Sequence, residues 1–332
     1  MELYIFRHDV WTKLYSCDYL TQEEWRSHSV PRVFSGTFSI CLATVTIALY
    51  VACIVTMRRK EFFRNSCYKI MFYLGLVDIT SQTIDGLING YFLLVGIEFC
   101  TLPDFNYIAG AVAFATWSAQ CVLCLLLAFN RLCDITGKKQ VEFLFSGYRT
   151  HIWCSLALLY GFAMWLFPPA VVFQSSAGGG WYFDPYTGYD NLNFTGIDRS
   201  SYFTQWMLFD NIEVSVMLVI LYSLMLIKLY LKTRIGGQST TSFQKSIFWQ
   251  AALVCLLSAV PATIYLYMQF FYTPEWVITV AHFGWQGSNG APAFVYLIFN
   301  RSIRRHVLRM LGLKAVTEVT VVTSTIGHRQ QN

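Results

Sequence analysis

The amino-acid sequence predicts an all-α membrane protein, a seven-transmembrane helix bundle with its N-terminus outside and a short amphipathic helix after the seventh span. Three observations predict this fold: seven long apolar segments, a composition with 55% hydrophobic and 13% charged residues, and an uneven placement of Lys and Arg. About 20 residues in a helix cross the hydrocarbon core of a bilayer, and each segment is long enough. The segments are residues 33–57, 70–97, 107–130, 150–173, 203–227, 246–273 and 277–300.

These spans divide the chain into three regions. Residues 1–32 form an external tail, residues 33–300 the seven-span domain, and residues 301–332 a cytoplasmic amphipathic helix and tail. Because the external tail lacks the apolar core of a signal peptide, we expect the uncharged first span to serve as a signal anchor. The chain is then a multi-pass protein of the lipid bilayer.

The charges predict the orientation. With the N-terminus outside, the cytoplasmic side holds all but five of the 24 Lys and Arg residues, as basic loops resist translocation. The exceptions are Arg7, Lys13, Arg26, Arg32 and Arg199. The net charge of +5 mostly reflects this asymmetry, so it gives no reason to propose a nucleic-acid partner.

The second span carries two acids, Asp78 and Asp85, at positions two helical turns apart. Since a carboxylate at the centre of a lone helix costs about 2.5 to 3.5 kcal/mol to insert, both should face the bundle interior. Asp78 lies near the expected midplane and is a candidate buried switch or cation site. The alternative is that polar groups such as Ser118, Gln120 and Asn289 satisfy these acids and only hold the bundle in register.

Prolines are expected to bend three spans. Pro168 and Pro169 fall late in the fourth span, Pro261 in the sixth and Pro292 in the seventh. Each removes a backbone hydrogen bond from a helix interior. With Gly287 and Gly290 nearby, the seventh span is a candidate hinge, although plain kinking explains the same pattern. The candidate buried switch residues are Asp78, Asp85, Asn289, Pro261, Pro292 and Tyr296.

The outer halves of the sixth and seventh spans are rich in aromatic and amphipathic side chains. An interfacial belt explains Phe271, Tyr272 and Trp276 at the expected lipid–water boundary. Deeper side chains could instead line a cavity between helices, where bundles build small-molecule sites. Ordinary packing remains the alternative for each one. The candidate pocket residues are Trp117, Asp210, Tyr265, Met268, His282, Trp285 and Gln286.

Two further features concern the external side. Of ten cysteines only Cys17 and Cys100 are expected outside, which makes them the candidate pair for a disulfide. Asn193 begins an Asn-Phe-Thr glycosylation acceptor in the loop between the fourth and fifth spans. A second acceptor triplet begins at Asn300 and would be cytoplasmic.

The sequence predicts no enzyme, metal site or cofactor. The histidines within or beside the spans, His151 and His282, offer no metal-ligand spacing. The seventh span has no Lys for a Schiff base, and the third span has no acid to pair with an amine ligand.

The order of several short motifs resembles one family, the nematode serpentine receptors of class T, which are chemosensory seven-transmembrane G-protein-coupled receptors. The resemblance covers nearly the whole chain. Its carriers are Ser66-Cys67-Tyr68-Lys69-Ile70-Met71, Leu74-Gly75 with Asp78, Asn130-Arg131, Phe183-Asp184-Pro185, Gln244-Lys245-Ser246-Ile247-Phe248, Gly290-Ala291-Pro292-Ala293, Tyr296-Leu297 and Asn300-Arg301-Ser302-Ile303-Arg304.

The resemblance implies a receptor that detects an external small molecule and activates a heterotrimeric G protein. Asn130 and Arg131 are the implied G-protein contact, with simple positive-inside anchoring of Arg131 as the alternative. Asn130 stands where many receptors have an acid, so the preceding residue offers Arg131 no ionic partner. The implied location is the plasma membrane, with sensory cilia as a candidate site.

Two other functions stay open at this point. A ligand-gated ion channel or transporter would favour an internal repeat with paired broken helices, and no such duplication is visible. A receptor-like partner that does not signal would have the same sequence features as a receptor. Ligand identity, G-protein subtype and oligomeric state are not encoded in any motif that we recognise.

Overall fold

The computed structural model describes residues 1–136, 143–189, 199–202, 204–234, 242–268, 270–271 and 273–312, and a helix occupies most of each predicted span. Asn193 and Tyr272, singled out above, lie outside the described residues. Three short helices open the chain: α1 (Glu2–Phe6), α2 (His8–Leu14) and α3 (Gln22–Ser27). A capping box of Thr21 and Glu24 fixes the start of α3.

The first two spans follow. Helix α4 covers Val33–Met57, and the short α5 covers Lys60–Phe63. Helix α6 covers Ser66–Gln82, runs into a π-helical segment at Thr83–Ile88 and continues as α7 (Asn89–Val95). Gly96, with a φ of 74°, ends α7 in the left-handed conformation that glycine adopts without strain.

The middle of the chain departs from the predicted span boundaries. After a 3₁₀ turn at Phe99–Thr101, α8 runs over Pro103–Thr136, and a second 3₁₀ turn at Phe143–Phe145 precedes α9 (Arg149–Leu166). Strands β1 (Val172–Gln174) and β2 (Gly180–Tyr182) then pair antiparallel, with Phe173 opposite Trp181.

The prediction that the fourth span reaches residue 173 is therefore wrong. Helix α9 ends at Leu166, before Pro168 and Pro169, so these prolines lie beyond the helix and do not bend it. Two consecutive prolines remove two backbone donors, and a helix commonly stops ahead of them. The chain that follows forms the hairpin of β1 and β2, hereafter the hairpin.

The last spans agree with the predicted order. A 3₁₀ turn at Arg199–Tyr202 leads to α10 (Gln205–Arg234), followed by α11 (Ser242–Met268) and α12 (Glu275–Phe299). Pro261 and Pro292 lie inside α11 and α12, and both helices continue past them. Asn300 caps the start of helix α13 (Arg301–Met310), because its side chain accepts a hydrogen bond from the Ile303 amide.

The outer surface of the helices suits a lipid environment. Within the described residues, Val33–Met57, Pro103–Thr136 and Gln205–Lys228 are long and apolar enough to cross a membrane, and Ala252–Met268 is a shorter apolar helix. Large apolar side chains such as Phe34, Leu159 and Val219 are exposed along these and other helices. Apolar surface of this extent indicates contact with lipid or with another apolar partner.

The interior has two apolar clusters. The larger lies among the long helices, while the smaller joins α1–α3 to the 3₁₀ turn, the start of α8 and the hairpin. We call the second assembly, residues 1–30, 97–101 and 170–189 together with Tyr202, the cap. Its buried core is largely aromatic, with Trp11, Tyr15, Trp25, Tyr186 and Tyr189 as members. The cap closes one end of the bundle, and Arg131 lies near the other end of α8.

Candidate functional site

A small cavity lies between the long helices directly under the cap. Its lining residues come from α8, α10, α11 and α12 and from the chain around the hairpin: Ala113, Phe114, Trp117, Val171, Trp181, Met207, Tyr265 and Trp285. The cavity has about 30 Å³ of room for the centre of a water molecule, which accommodates one or two waters. Its position between helices and its mostly apolar wall fit a small-molecule site.

The structure divides the seven pocket candidates into two groups. Trp117, Tyr265 and Trp285 line the cavity, whereas Asp210, Met268, His282 and Gln286 are not among its lining residues. Sequence reasoning missed five lining residues. Ala113, Phe114 and Met207 looked like ordinary span residues, while Val171 and Trp181 reach the cavity only because the chain turns back in the hairpin.

Asp210 is held by its neighbours and does not face the cavity. Its carboxylate accepts hydrogen bonds from Ser118 Oγ at 2.5 Å and from Tyr160 OH at 2.6 Å. These bonds join α10 to α8 and α9. Polar neighbours on two other helices therefore satisfy this acid.

His282 and Gln286 bond to other helices beside the cavity. The Nε2 atom of His282 lies 3.0 Å from Asn89 Nδ2, and Asn89 Oδ1 accepts from the Trp181 indole at 2.8 Å. This arrangement ties α7, the hairpin and α12 together. The side-chain Nε2 of Gln286 donates to the Ser39 backbone carbonyl of α4 at 2.8 Å, and the side-chain Oε1 of Gln286 accepts from Ser39 Oγ at 3.1 Å.

The two acids of the second span are fully buried and have different partners. Asp78 accepts hydrogen bonds from Tyr50 OH and, at 3.2 Å, from Gln120 Nε2. Asp85 accepts from Asn289 Nδ2 at 2.6 Å. Asp85 lies in the π-helical segment, where the extra residue per turn changes the direction of the side chains that follow.

The seventh-span candidates connect to this polar interior. Asn289 also donates to the Trp285 carbonyl at 3.1 Å, and the Tyr296 ring stands edge-on to Tyr50 with 6.0 Å between ring centroids. A Cβ placed on Gly290 would come within 2.9 Å of Gln82 Nε2, whereas one on Gly287 would meet nothing within 4 Å. Gly290 therefore permits close packing of α12 on α6, which accounts for it without a hinge.

At the opposite end of the bundle, the candidates Asn130 and Arg131 form a buried polar group. Arg131 donates to Asn130 Oδ1 at 2.5 Å and forms an ion pair with Asp134 at 2.8 Å. Asn130 in turn donates to Ser66 Oγ at 2.9 Å. Sequence reasoning looked for an acid directly before Arg131 and missed the one a turn later, although residues three apart are neighbours on a helix.

The cap is fixed covalently and by a buried carboxylate. A disulfide joins Cys17 to Cys100, the pair that the sequence left open. Glu98 is fully buried and accepts four hydrogen bonds, from the Ser175 hydroxyl, the Ser176 amide and hydroxyl, and the Tyr189 phenol. Burial and the nearby Glu98 carboxylate raise the pKa of Tyr189, so its phenol stays a donor at neutral pH.

Among the residues that the structure describes, no group of three or more His, Cys, Asp or Glu side chains could hold a metal ion.

Two comparisons address the family. The chain is 25% identical over 319 residues to a Caenorhabditis elegans protein named serpentine receptor class T-55, covering 94% of this chain and 85% of that protein. The family model described as "Serpentine type 7TM GPCR chemoreceptor Srt" matches residues 2–320. The chain therefore belongs to the Srt family of serpentine seven-transmembrane chemoreceptors, a family of receptors.

Proposed function

We propose that this protein is a plasma-membrane chemoreceptor that binds an external small molecule in the cavity under the cap and activates a heterotrimeric G protein at the Arg131 end. The helices α4, α6 with α7, α8, α9, α10, α11 and α12 form seven bilayer crossings, with residues 1–32 outside and residues 301–332 in the cytoplasm. The charge distribution supports this orientation, because it leaves the basic end of the bundle inside. Sensory cilia are the candidate location within the cell, on family grounds.

The observation that carries the proposal is that one helix links the cavity to the buried acids. Trp285 of α12 lines the cavity, and its backbone carbonyl accepts from Ser288 Oγ at 2.7 Å and from Asn289 Nδ2 at 3.1 Å. Asn289 also donates to Asp85 on the π-helical segment. A ligand that shifts the backbone of α12 at Trp285 would disturb a hydrogen-bonded contact between α12 and the second span.

Further along α12, polar and aromatic contacts continue toward the G-protein end. Tyr296 packs against Tyr50, which donates to Asp78, and Asn300 donates to Tyr68 OH at 2.8 Å. A ligand shifts the bundle only if it binds one arrangement of these contacts better than the other. The described arrangement holds Arg131 buried against Asn130 and Asp134, which fits a resting receptor.

A reconstitution experiment tests the proposal. The full chain in lipid nanodiscs is mixed with a heterotrimeric G protein, and nucleotide exchange is measured across a panel of volatile and water-soluble compounds. At least one compound should accelerate exchange. Asn289→Ala should reduce that acceleration, because it removes the contact between α12 and Asp85, while Cys41→Ser on the exposed face of α4 should not.

The alternatives give different results. Ligand-dependent ion current through the reconstituted protein without a G protein would contradict the proposal in favour of a channel. Ligand binding that never changes nucleotide exchange with any G-protein class would contradict it in favour of a receptor-like partner.

A further inference from the structure

The chemistry of the cavity wall narrows the class of molecule that it can bind. Seven of the eight described lining residues have apolar or indole side chains, and the eighth, Tyr265, adds a phenol. None of these described residues carries a carboxylate, ammonium or guanidinium group. A charged ligand would lose its water there and gain no counter-ion, which opposes its binding.

Two acids lie three residues along the chain from a lining residue, Asp184 after Trp181 and Asp210 after Met207, and both have partners. Asp184 forms an ion pair with Arg199. Asp210 lies one helical turn after Met207, but both of its carboxylate oxygens accept hydrogen bonds, from Ser118 and Tyr160. It is therefore poorly placed to serve as the counter-ion of an amine. The absence of an acid among the described lining residues and the hydrogen bonds that Asp210 already accepts both favour an uncharged ligand.

One of the lining tryptophans has an indole N–H without a hydrogen-bond partner among the described residues. Three tryptophans line the cavity, and two of them donate their indole N–H to protein oxygens: Trp117 to Asn211 Oδ1 at 3.1 Å and Trp181 to Asn89 Oδ1 at 2.8 Å. The third, Trp285, is 6% exposed, and its Nε1 has no hydrogen-bond partner among the described residues. Indole is a donor only, so it calls for an acceptor.

The size of the space sets a further limit. About 30 Å³ holds one or two waters, so any organic ligand must displace a side chain. Met207 is the adaptable member of the wall, because an unbranched thioether repacks more easily than the aromatic rings around it. A compact molecule is favoured over an extended one.

We infer that the cavity binds a compact, uncharged, mostly apolar molecule with a hydrogen-bond acceptor, such as a ketone, aldehyde or ester, whose oxygen accepts from Trp285 Nε1. The inference rests on the proposed function in that it takes the cavity to be the ligand site. It goes beyond that function because it specifies the chemical class of the ligand and the residue that donates a hydrogen bond to it.

The experiment compares matched probes on the full chain in lipid nanodiscs. Cyclohexanone carries the acceptor, methylenecyclohexane has nearly the same shape without it, and cyclohexylammonium carries a charge. Saturation-transfer NMR gives each affinity, and empty nanodiscs correct for partition into lipid. We expect cyclohexanone to bind about tenfold more tightly than methylenecyclohexane, the effect of one buried hydrogen bond, and cyclohexylammonium to bind more weakly than both.

Two variants locate the acceptor contact. Trp285→Phe keeps an aromatic ring and removes the donor, so it should abolish the preference for the ketone over the alkene. Trp117→Phe is the matched control: its lost N–H is bonded to Asn211, so affinities for both probes change together and their ratio persists. Ala113→Leu should weaken all probes by filling the cavity.

The wild-type ratio is informative even if a variant fails to fold. Equal binding of ketone and alkene, tightest binding of the ammonium probe, no detectable binding of any probe, or a ketone preference that survives Trp285→Phe would each overturn the inference. Because the assay contains no G protein, a ketone preference without any ligand-driven nucleotide exchange would refute the proposed function and leave this inference standing.

Discussion

The guanidinium of Arg131 is almost completely buried, with 6% of its side chain exposed, and its ionic partner Asp134 is 44% exposed. An ion pair of this exposure contributes roughly 0.5 kcal/mol, which corresponds to about a twofold change in an equilibrium. We expect Asp134→Asn to raise ligand-independent nucleotide exchange about twofold, because the arrangement that holds Arg131 in the bundle loses that contribution. The rate of nucleotide exchange by the G protein in the presence of the reconstituted receptor and no ligand measures this effect.

A second contact at the same end provides the control. Glu61 lies 2.9 Å from His306 Nε2 and joins α5 to α13 without touching Arg131. Glu61→Gln should leave basal exchange near the wild-type rate. An unchanged rate in Asp134→Asn, or an equal rise in both variants, would contradict a role of the Arg131 pair in the resting receptor.

Glu98 is the residue on which the cap depends most. In Glu98→Ala, the donors of Ser175, Ser176 and Tyr189 lose their acceptor in a buried place, at a cost of at least about 3 kcal/mol for the group. We expect Glu98→Ala to lower the thermal midpoint of the cap and to make residues 1–30 sensitive to protease.

Glu98→Gln is the conservative comparison, because its carbonyl oxygen keeps two acceptor sites and the facing hydroxyls can turn to accept. It should lose much less stability than Glu98→Ala. Equal thermal midpoints for wild type and Glu98→Ala would show that the cap does not depend on this carboxylate.

At the scale of elements, α4 and α7 pack closely because glycines face each other. A Cβ placed on Gly36 would come within 2.6 Å of the Gly90 carbonyl oxygen, a backbone atom that cannot turn away. Small residues allow such close approach of helices in membranes. We expect Gly36→Ala to cost about 1 to 3 kcal/mol through overpacking.

Gly287→Ala on α12 is the matched substitution, since nothing lies within 4 Å of a Cβ placed on Gly287. It should be neutral or stabilising, because alanine favours a helix over glycine by about 0.8 to 1 kcal/mol. Thermal unfolding of the two variants in nanodiscs measures the difference. If both lowered the midpoint equally, backbone flexibility and not close packing would explain these glycines.

The sequence predicted the long helices better than the cap, for a physical reason. Whether a segment enters a bilayer depends mainly on its own composition, so the apolar runs located α4 and α12 closely. The hairpin, by contrast, depends on pairing between residues brought together by the fold, such as Phe173 and Trp181. Because residues 150–173 are mostly apolar, the sequence predicted one helix for all of them.

The same distinction, between what a segment's own composition predicts and what contacts made by the fold decide, applies to the candidate pocket residues. Of the seven pocket candidates, Trp117, Tyr265 and Trp285 line the cavity. Asp210 was also a candidate, but its carboxylate accepts hydrogen bonds from Ser118 and Tyr160 on other helices. Partners across helices could not be inferred from one sequence.

At the scale of the whole molecule, the cap should lose stability in alkali. Burial raises the pKa of Tyr15, Tyr186, Tyr189 and Tyr202, all of which belong to the cap. Above about pH 10 an unfolded tyrosine loses its proton and a folded one keeps it, so the folded state binds more protons. Stability contributed by these groups is therefore complete below about pH 10 and declines as pH rises further.

Thermal midpoints of the cap measured between about pH 8 and pH 11 should fall most steeply at the alkaline end. Tyr189→Phe removes one titrating phenol and should make that fall shallower. A cap midpoint that stays constant to pH 11, or a slope that Tyr189→Phe leaves unchanged, would contradict the assignment of these tyrosines as buried and protonated.

The orientation of the whole chain decides which end meets the ligand, and glycosylation can report it. Asn193 begins an acceptor triplet that lies along the chain between Tyr189 and Tyr202, two residues of the cap, whereas Asn300 begins the other triplet at the opposite end of the bundle. If the cap is external, chain expressed in cells should carry a glycan at Asn193, since only acceptors on the lumenal side are modified. Endoglycosidase should then shift the electrophoretic mobility of the wild type and not of Asn193→Gln. A shift that persists in Asn193→Gln would point to Asn300 as the modified residue, place α13 outside, and move the proposed ligand cavity to the cytoplasmic side of the membrane.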